Sequence, residues 1–168
     1  MNTASKLSLA VVALLAVGTT TVQAQATIAA TATVVTPLVL TGMRPLAFGI
    51  VLPGTNKTIG VAAATSGEYS ILGTPSAEVS MTFTLPGTLV SGGNNLTINT
   101  WTGYHNATNN ATAGGTAFTP SGASTLANLD GTTGYRYVFV GATVVPTGGQ
   151  APGAYSANVT MNVAYTGN

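Results

Sequence analysis

The sequence predicts an all-β protein, an antiparallel sandwich or barrel. Three observations predict this class. β-branched residues, which favour strands, are frequent along the chain. Turn signals built on glycine and proline recur at short intervals. No segment shows the 3.6-residue period of a helix, so many short strands with polar turns are the structure to expect.

The N-terminal residues 1–24 have the pattern of a secretory signal peptide. Lys6 precedes the apolar run 7–17, which is too short to span a bilayer of about 20 helical residues. Small residues follow and predict cleavage after Ala24 or Ala26. We therefore expect export from the cytoplasm. No later apolar run is long enough to predict a transmembrane helix.

Residues 25–35 alternate strictly between small apolar and polar side chains. One face of the predicted strand at 27–35 carries Ile28, Ala30, Ala32 and Val34. Because these side chains are small, such a strand buries little on its own and suits a shallow groove between two others. An ordinary first strand within its own sheet is the alternative. Pro37 ends the run.

The remaining residues, 36–168, are expected to form one domain, since no linker or repeat divides them. Strands are predicted at residues 37–41, 46–52, 57–63, 68–72, 78–85, 96–101, 135–145 and 154–166. The strand at 154–166 alternates strictly. Its apolar positions face one way, and they are Tyr155, Ala157, Val159, Met161, Val163 and Tyr165. Residues 102–122 are polar and predict a long loop.

The composition argues against catalysis, metal binding and nucleic-acid binding. Charged residues make up 4% of the chain, and residues 25–168 hold three basic and three acidic side chains, so no basic surface for nucleic acid is expected. There is no cysteine, and His105 is the single histidine, which makes a metal site, a cofactor or an enzyme unexpected. Glu68 and Glu78 are better explained as isolated surface acids than as a catalytic pair. Trp101 and Tyr104 could stack on a sugar, although packing is the simpler role.

Two motifs resemble those of a known family. Gly153 and Tyr165 bracket the alternating C-terminal strand in the manner of subunits of chaperone–usher pili. The stretch Arg-Pro-Leu-Ala-Phe-Gly-Ile-Val-Leu-Pro-Gly at 44–54 resembles the LxFG…PG motif of related fimbrial-like secreted β-domains, among them the DUF4402 domain. Many pilus subunits carry a disulfide, which this chain cannot form.

The resemblance implies an immunoglobulin-like antiparallel β-sandwich that lacks one strand and is completed by a donor strand. A periplasmic chaperone would fill the groove first, and the N-terminal extension of the next subunit would replace it at an outer-membrane usher. Residues 25–35 would be the donor, with Ile28, Ala30, Ala32 and Val34 entering the groove. The acceptor set implied by the C-terminal motif is Gly153, Tyr155, Val159, Met161, Val163 and Tyr165.

The function expected from these residues is that of a structural subunit of an extracellular, cell-surface fimbria that supports adhesion or biofilm formation. The protein would be its own partner in a head-to-tail homopolymer. The sequence identifies no receptor. The alternative is a self-contained secreted or surface β-sandwich that binds carbohydrate or another cell.

Overall fold

The computed structural model describes residues 23–167, so the predicted signal peptide at 1–24 lies outside them except for its last two residues. Residues 23–38 have no regular secondary structure. The described chain contains ten strands and no helix, and thus no helix able to cross a membrane. The strands are β1 (Val39–Arg44), β2 (Lys57–Ile59), β3 (Gly67–Leu72), β4 (Glu78–Thr84), β5 (Thr88–Ser91), β6 (Asn94–Asn106), β7 (Thr116–Phe118), β8 (Thr125–Asn128), β9 (Tyr135–Val145) and β10 (Thr160–Tyr165).

Seven of the strands form one antiparallel sheet around the long pair β6 and β9. The order across the sheet is β1-β3-β9-β6-β5, with β2 paired to β9 and β7 paired to β6. Strands β3 and β2 follow one another along one edge of β9, at Tyr135–Val140 and at 142–144. Strands β7 and β5 follow one another along the opposite edge of β6. β9 is almost continuously buried because it lies in the middle of this sheet.

The other three strands form a second antiparallel sheet with the order β10-β4-β8. Strand β4 alternates as its sequence predicts, with Val79, Met81 and Phe83 buried and the residues between them less so. Its buried face packs with Met161 of β10 against the large sheet. The architecture is therefore a curled, sandwich-like pair of antiparallel sheets.

The second sheet covers only part of the large one. We call the covered part the closed half, where Ile71, Val138 and Val140 share a core with β4 and β10. We call the rest the open half, whose inner surface is formed by Leu96, Ile98, Ala142 and Val144. A bulge in β6 between Asn99 and Thr102 separates the halves and turns Trp101 so that it packs against both.

Several predicted strands are confirmed, and four predictions are corrected. The strand predicted at 135–145 is confirmed in full, and those at 68–72 and 78–85 are confirmed within one residue. Residues 27–35 and 46–52 are not strands, and the C-terminal strand begins only at Thr160. Residues 102–122 are not one loop, since β6 extends to Asn106 and β7 lies within them.

The two missing strands have physical reasons. The small side chains of residues 27–35 bury too little surface to hold a strand without partners on both sides. Residues 46–52 are bounded by Pro45 and Pro53, and Gly49 has a φ of +63°, which breaks the extended backbone in the middle of the run.

Candidate binding groove

The open half carries a groove of about 880 Å³. Its floor is the inner surface of the large sheet, including Leu96, Ile98 and Val144. Two irregular segments run above this floor. We call residues 45–53 the first rim and residues 150–157 the second rim. Strands of the second sheet cover the closed half. In the open half, by contrast, none of the ten strands lies between the two rims.

The first rim lies partly on the floor and partly in solvent. Leu46 and Phe48 pack against the inner surface of the open half, whereas Ile50 is 84% exposed and Leu52 is 64% exposed. The rim is held by few backbone contacts. The Ala47 amide donates to the Thr65 carbonyl at 2.9 Å, and Lys57 Nζ donates to the Ile50 carbonyl at 2.8 Å. Ile50 thus leaves apolar surface uncovered along the groove, and Leu52 lies outside its lining.

The second rim is tied to the large sheet at two residues. Gln150 Nε2 donates to the Asn95 carbonyl of β6 at 3.1 Å. Ser156 and Val90 exchange backbone hydrogen bonds of 3.0 and 3.1 Å, which ties the rim to β5. The Tyr155 hydroxyl donates to the Ala151 carbonyl at 2.7 Å and accepts a hydrogen bond from Gln150 Nε2. In the described chain, Tyr155 and Ala157 have no backbone–backbone hydrogen bond. Their main-chain donors and acceptors are therefore available to another strand.

A smaller cavity of about 300 Å³ continues the groove toward β1 and β3. The two cavities share Pro45, Leu46, Ala157 and Val159 in their walls. Between them the Tyr69 hydroxyl donates to the Val159 carbonyl at 2.7 Å. Burial raises the pKa of Tyr69, so this hydroxyl remains a proton donor at neutral pH. Together the cavities form one channel that ends beside β10.

The residues predicted for the acceptor fall into two groups. Gly153, Tyr155 and Val159 line the groove. Met161, Val163 and Tyr165 lie farther along on β10, where they pack against the core of the closed half. β10 pairs only with β4, so its other edge is unpaired within the described chain.

The residues predicted for the donor lie in the segment without regular secondary structure. Ile28 and Val34 are each 95% exposed, and Ala30 and Ala32 are exposed as well. Large apolar side chains at this exposure have surface to bury on association.

The two acidic candidates lie in different sheets, and the prediction that Glu68 is a surface acid is wrong. Glu68 is buried on the outer side of the large sheet and forms an ion pair with Arg44, with an Nη1 to Oε2 distance of 3.0 Å. Arg44 also donates to the Ser66 carbonyl and hydroxyl, which fixes the end of β1 beside the first rim. Glu78 is half-buried at the start of β4, opposite Asn128.

His105 is buried at the inner side of β6, with its ring 5.7 Å from that of Phe118. Burial lowers its pKa, and the positive charge of Arg136 lowers it further. Within residues 23–167, its Nδ1 has no hydrogen-bond partner. Among residues 23–167, no three His, Asp or Glu side chains are grouped closely enough to hold a metal ion.

The two aromatic residues considered for sugar stacking have structural contacts. Trp101 is half-buried between the two core clusters. The Tyr104 hydroxyl accepts a hydrogen bond from the Gly115 amide at 2.7 Å and so closes the loop between β6 and β7.

Sequence reasoning did not identify the first rim as a groove wall, nor Leu96, Ile98 and Val144 as its floor. One signal was present. The stretch at 45–53 is apolar but bounded by proline at both ends, a pattern that suits a segment packing on a sheet without joining it. The floor residues belong to β6 and β9, and nothing local tells an uncovered strand from a covered one.

Comparison of the chain with protein-family models, with curated proteins and with solved structures finds no match in any of the three.

Proposed function

We propose that the protein is a structural subunit of an extracellular fimbria and that it polymerises by donor-strand complementation. The observation that carries the proposal is the groove of about 880 Å³ over the open half, where the large sheet has no opposing strand. Two apolar rims with unpaired backbone flank a floor of buried aliphatic side chains. An added strand is the ligand that such a site accepts best.

The occupant we propose is residues 25–35 of a second copy. This segment has no regular secondary structure, and its apolar side chains are exposed. Its alternation would turn Ile28, Ala30, Ala32 and Val34 toward the floor and the threonines between them toward solvent. Alanine in the middle of the run suits the shallow space between two rims. Backbone hydrogen bonds to the rim would add affinity that does not depend on side chains.

An immunoglobulin-like pilin fold, assembled with a periplasmic chaperone and an outer-membrane usher, is part of this proposal. The three-stranded sheet ends at β10, whose outer edge is unpaired, and the added strand would extend it over the open half. Contacts from donor to acceptor are head-to-tail and do not close, so they would generate filaments. The near-balance of positive and negative residues would limit repulsion between stacked subunits.

The test compares two charge-matched variants of the exported chain. Ile28→Asp with Val34→Asp places carboxylates on the face that would enter the groove. The control, Thr27→Asp with Thr33→Asp, adds the same charge to the opposite face. Burying an unpaired carboxylate costs several kcal/mol, so we expect the first variant to abolish filaments seen by electron microscopy and the heat-resistant ladder on a gel. The control should retain both.

Filaments that persist in the Ile28→Asp, Val34→Asp variant would overturn the proposal. A parent chain that purifies as a stable, monodisperse monomer without a chaperone would support the self-contained sandwich instead.

A further inference from the structure

Five Asn-x-Thr tripeptides occur in the sequence, and this is the acceptor pattern for attachment of a glycan to an asparagine amide. They begin at Asn56, Asn95, Asn106, Asn110 and Asn158. In a chain rich in asparagine and threonine the pattern recurs by chance, so the tripeptide alone selects none of the five. The side-chain contacts in the structure distinguish them.

Two of the five tripeptides have the same sequence, Asn-Ala-Thr, and lie four residues apart. One begins at Asn106, the last residue of β6, and the other begins at Asn110 in the loop that leads to β7. Asn106 is buried, and its Nδ2 donates to the carbonyls of Asn110 and Ala113 at 2.9 and 2.6 Å. The nitrogen that would carry a glycan is thus engaged inside the loop, where it fixes the loop's shape.

Asn110 has the opposite arrangement. Its side chain is exposed, and its Oδ1 accepts three hydrogen bonds. The amide and the hydroxyl of Thr112 both donate at 2.8 Å, and the Ala113 amide donates at 3.3 Å. Within residues 23–167, the Asn110 Nδ2 has no hydrogen-bond partner. The carbonyl oxygen of this side chain is therefore held, and its nitrogen is free.

These contacts favour the chemistry of glycan attachment. An amide nitrogen is a weak nucleophile because its lone pair is delocalised onto the carbonyl oxygen. Hydrogen bonds to that oxygen stabilise the negative charge that it takes up when the nitrogen loses a proton, so they make the Asn110 Nδ2 easier to deprotonate. In the described chain, Thr112 alone among the five threonines donates its hydroxyl to the asparagine of its own tripeptide.

The other three tripeptides have different surroundings. The Thr58 hydroxyl, two residues after Asn56, is hydrogen-bonded to the Thr143 hydroxyl at 2.8 Å. Asn95 lies in β6, and pairing with β5 keeps its backbone extended. Asn158 lies between two residues that line the groove. None of the three therefore has the turn that joins Asn110 to the threonine hydroxyl.

We propose that Asn110 is the site at which the exported protein carries an N-linked glycan. The donor is an oligosaccharide joined at its anomeric carbon to a lipid pyrophosphate, and a glycosyltransferase of the exporting cell catalyses the transfer. Asn110 Nδ2 loses one proton to a base of that enzyme and forms a bond to the anomeric carbon. The bond from this carbon to the pyrophosphate oxygen breaks, and the lipid pyrophosphate leaves with the electron pair.

The modified loop lies away from the groove. Asn106 follows the floor residue Ile98 by eight positions on β6, so the loop begins at the other end of that strand. A glycan at Asn110 leaves the groove accessible, and it adds a hydrated group to a chain in which only 4% of residues are charged. The inference goes beyond the proposed function and rests on the export that residues 1–24 predict.

The test is mass spectrometry of the full-length protein exported by the organism that makes it. Chymotrypsin cleaves after Tyr104 and Phe118, so the peptide 105–118 separates this loop from the tripeptides at Asn56, Asn95 and Asn158. We expect the peptide to carry the mass of a glycan, and enzymatic release of the glycan to convert one asparagine to aspartate. The peptides that contain the other three tripeptides should be unmodified.

Two matched substitutions assign the glycan within this peptide. Thr112→Ala removes the hydroxyl that contacts Asn110, and Thr108→Ala removes the equivalent hydroxyl after Asn106. Both threonines are exposed, so both variants should fold. Thr112→Ala should abolish the added mass, whereas Thr108→Ala should leave it unchanged. Thr112→Ser, which keeps a hydroxyl, should retain it as well.

An unmodified peptide 105–118 in the parent chain, or a glycan that persists in Thr112→Ala, would overturn the inference. A variant without residues 2–24 stays in the cytoplasm, where sugar nucleotides are the donors, and it should be unmodified. A glycan on that variant would overturn the assignment of a lipid-linked donor. Filament formation is measured separately, so failure of this inference leaves the proposed function intact.

Discussion

The closed and open halves of the large sheet present similar aliphatic surfaces and differ in what lies over them. In the closed half, β4, β8 and β10 cover Ile71, Val138 and Val140, which are at most 1% exposed. In the open half, two irregular rims cover Ile98 and Val144 and leave a groove between them. The same pair of strands, β6 and β9, runs through both halves. The difference teaches that strand pairing within a sheet does not require a complete second layer.

The halves also differ in how their covering segments are held. The closed half is covered by paired strands, and β4 is hydrogen-bonded to a neighbouring strand on each edge. The rims of the open half are each tied to the sheet by a few hydrogen bonds. Segments with few backbone bonds open at low free-energy cost, so the donor strand that we propose would enter the open half without unfolding the rest of the domain.

The largest effect is expected from two matched substitutions, one in each half, which test whether the two halves are equally well packed. Ile71 lies in the closed half at 0% exposure and Ile98 in the open half at 3%. Truncation to alanine should cost about 4 kcal/mol at Ile71, where the surrounding core is filled, and about 2 kcal/mol at Ile98, which already borders a groove. The measurement is urea unfolding of each variant in the Ile28→Asp, Val34→Asp background. Equal losses would show that the open half is as tightly packed as the closed half.

A smaller effect is expected at the joint between the halves. Thr100 has a φ of +50° within the β6 bulge, a conformation that strains a β-branched residue. Thr100→Gly should raise the free energy of unfolding by about 1 kcal/mol, because glycine adopts this φ without strain. Thr97→Gly, in the regular part of β6, should lower it by a similar amount. A loss at both positions would show that the bulge stores no strain.

The smallest effect is a pH dependence confined to the closed half. Burial and Arg136 lower the pKa of His105 below its usual value of 6.5, so the folded state holds this ring neutral. The unfolded chain binds the proton more readily, and stability should therefore fall as the pH drops from 7 toward 5. Since His105 is the single histidine, His105→Phe should flatten the slope. A slope unchanged by that substitution would assign it to other groups.

The sequence was most informative where a strand is covered on one or both faces. The alternation at 78–85 and the apolar run at 135–145 became β4 and β9. It was least informative where the segments that form the rims have the same kind of composition as strands. Residues 46–52 are a continuous apolar run and residues 154–157 alternate, yet both lie in the rims, because the neighbouring prolines and Gly49 outweigh the pattern.

The candidate site also has one part that the sequence predicts and another that it does not. The alternation of residues 155–165 is visible in the sequence and places Tyr155 and Val159 on the groove. The floor at Leu96, Ile98 and Val144 could not be predicted, because whether a strand face is covered depends on segments distant in sequence. The hydrogen bond from the Tyr165 hydroxyl to the Thr36 carbonyl joins residues 129 positions apart, a contact with no local signal.

By itself the sequence determined the all-β class, the positions of the best-covered strands and the scarcity of ionisable groups, because period, turn residues and composition act locally. Only the tertiary structure decided which part of the large sheet lacks a covering sheet and which residues contact Thr36, where the N-terminal segment 25–35 ends. Both depend on how the two sheets overlap, and that overlap is set by packing between segments that the order of residues does not bring together.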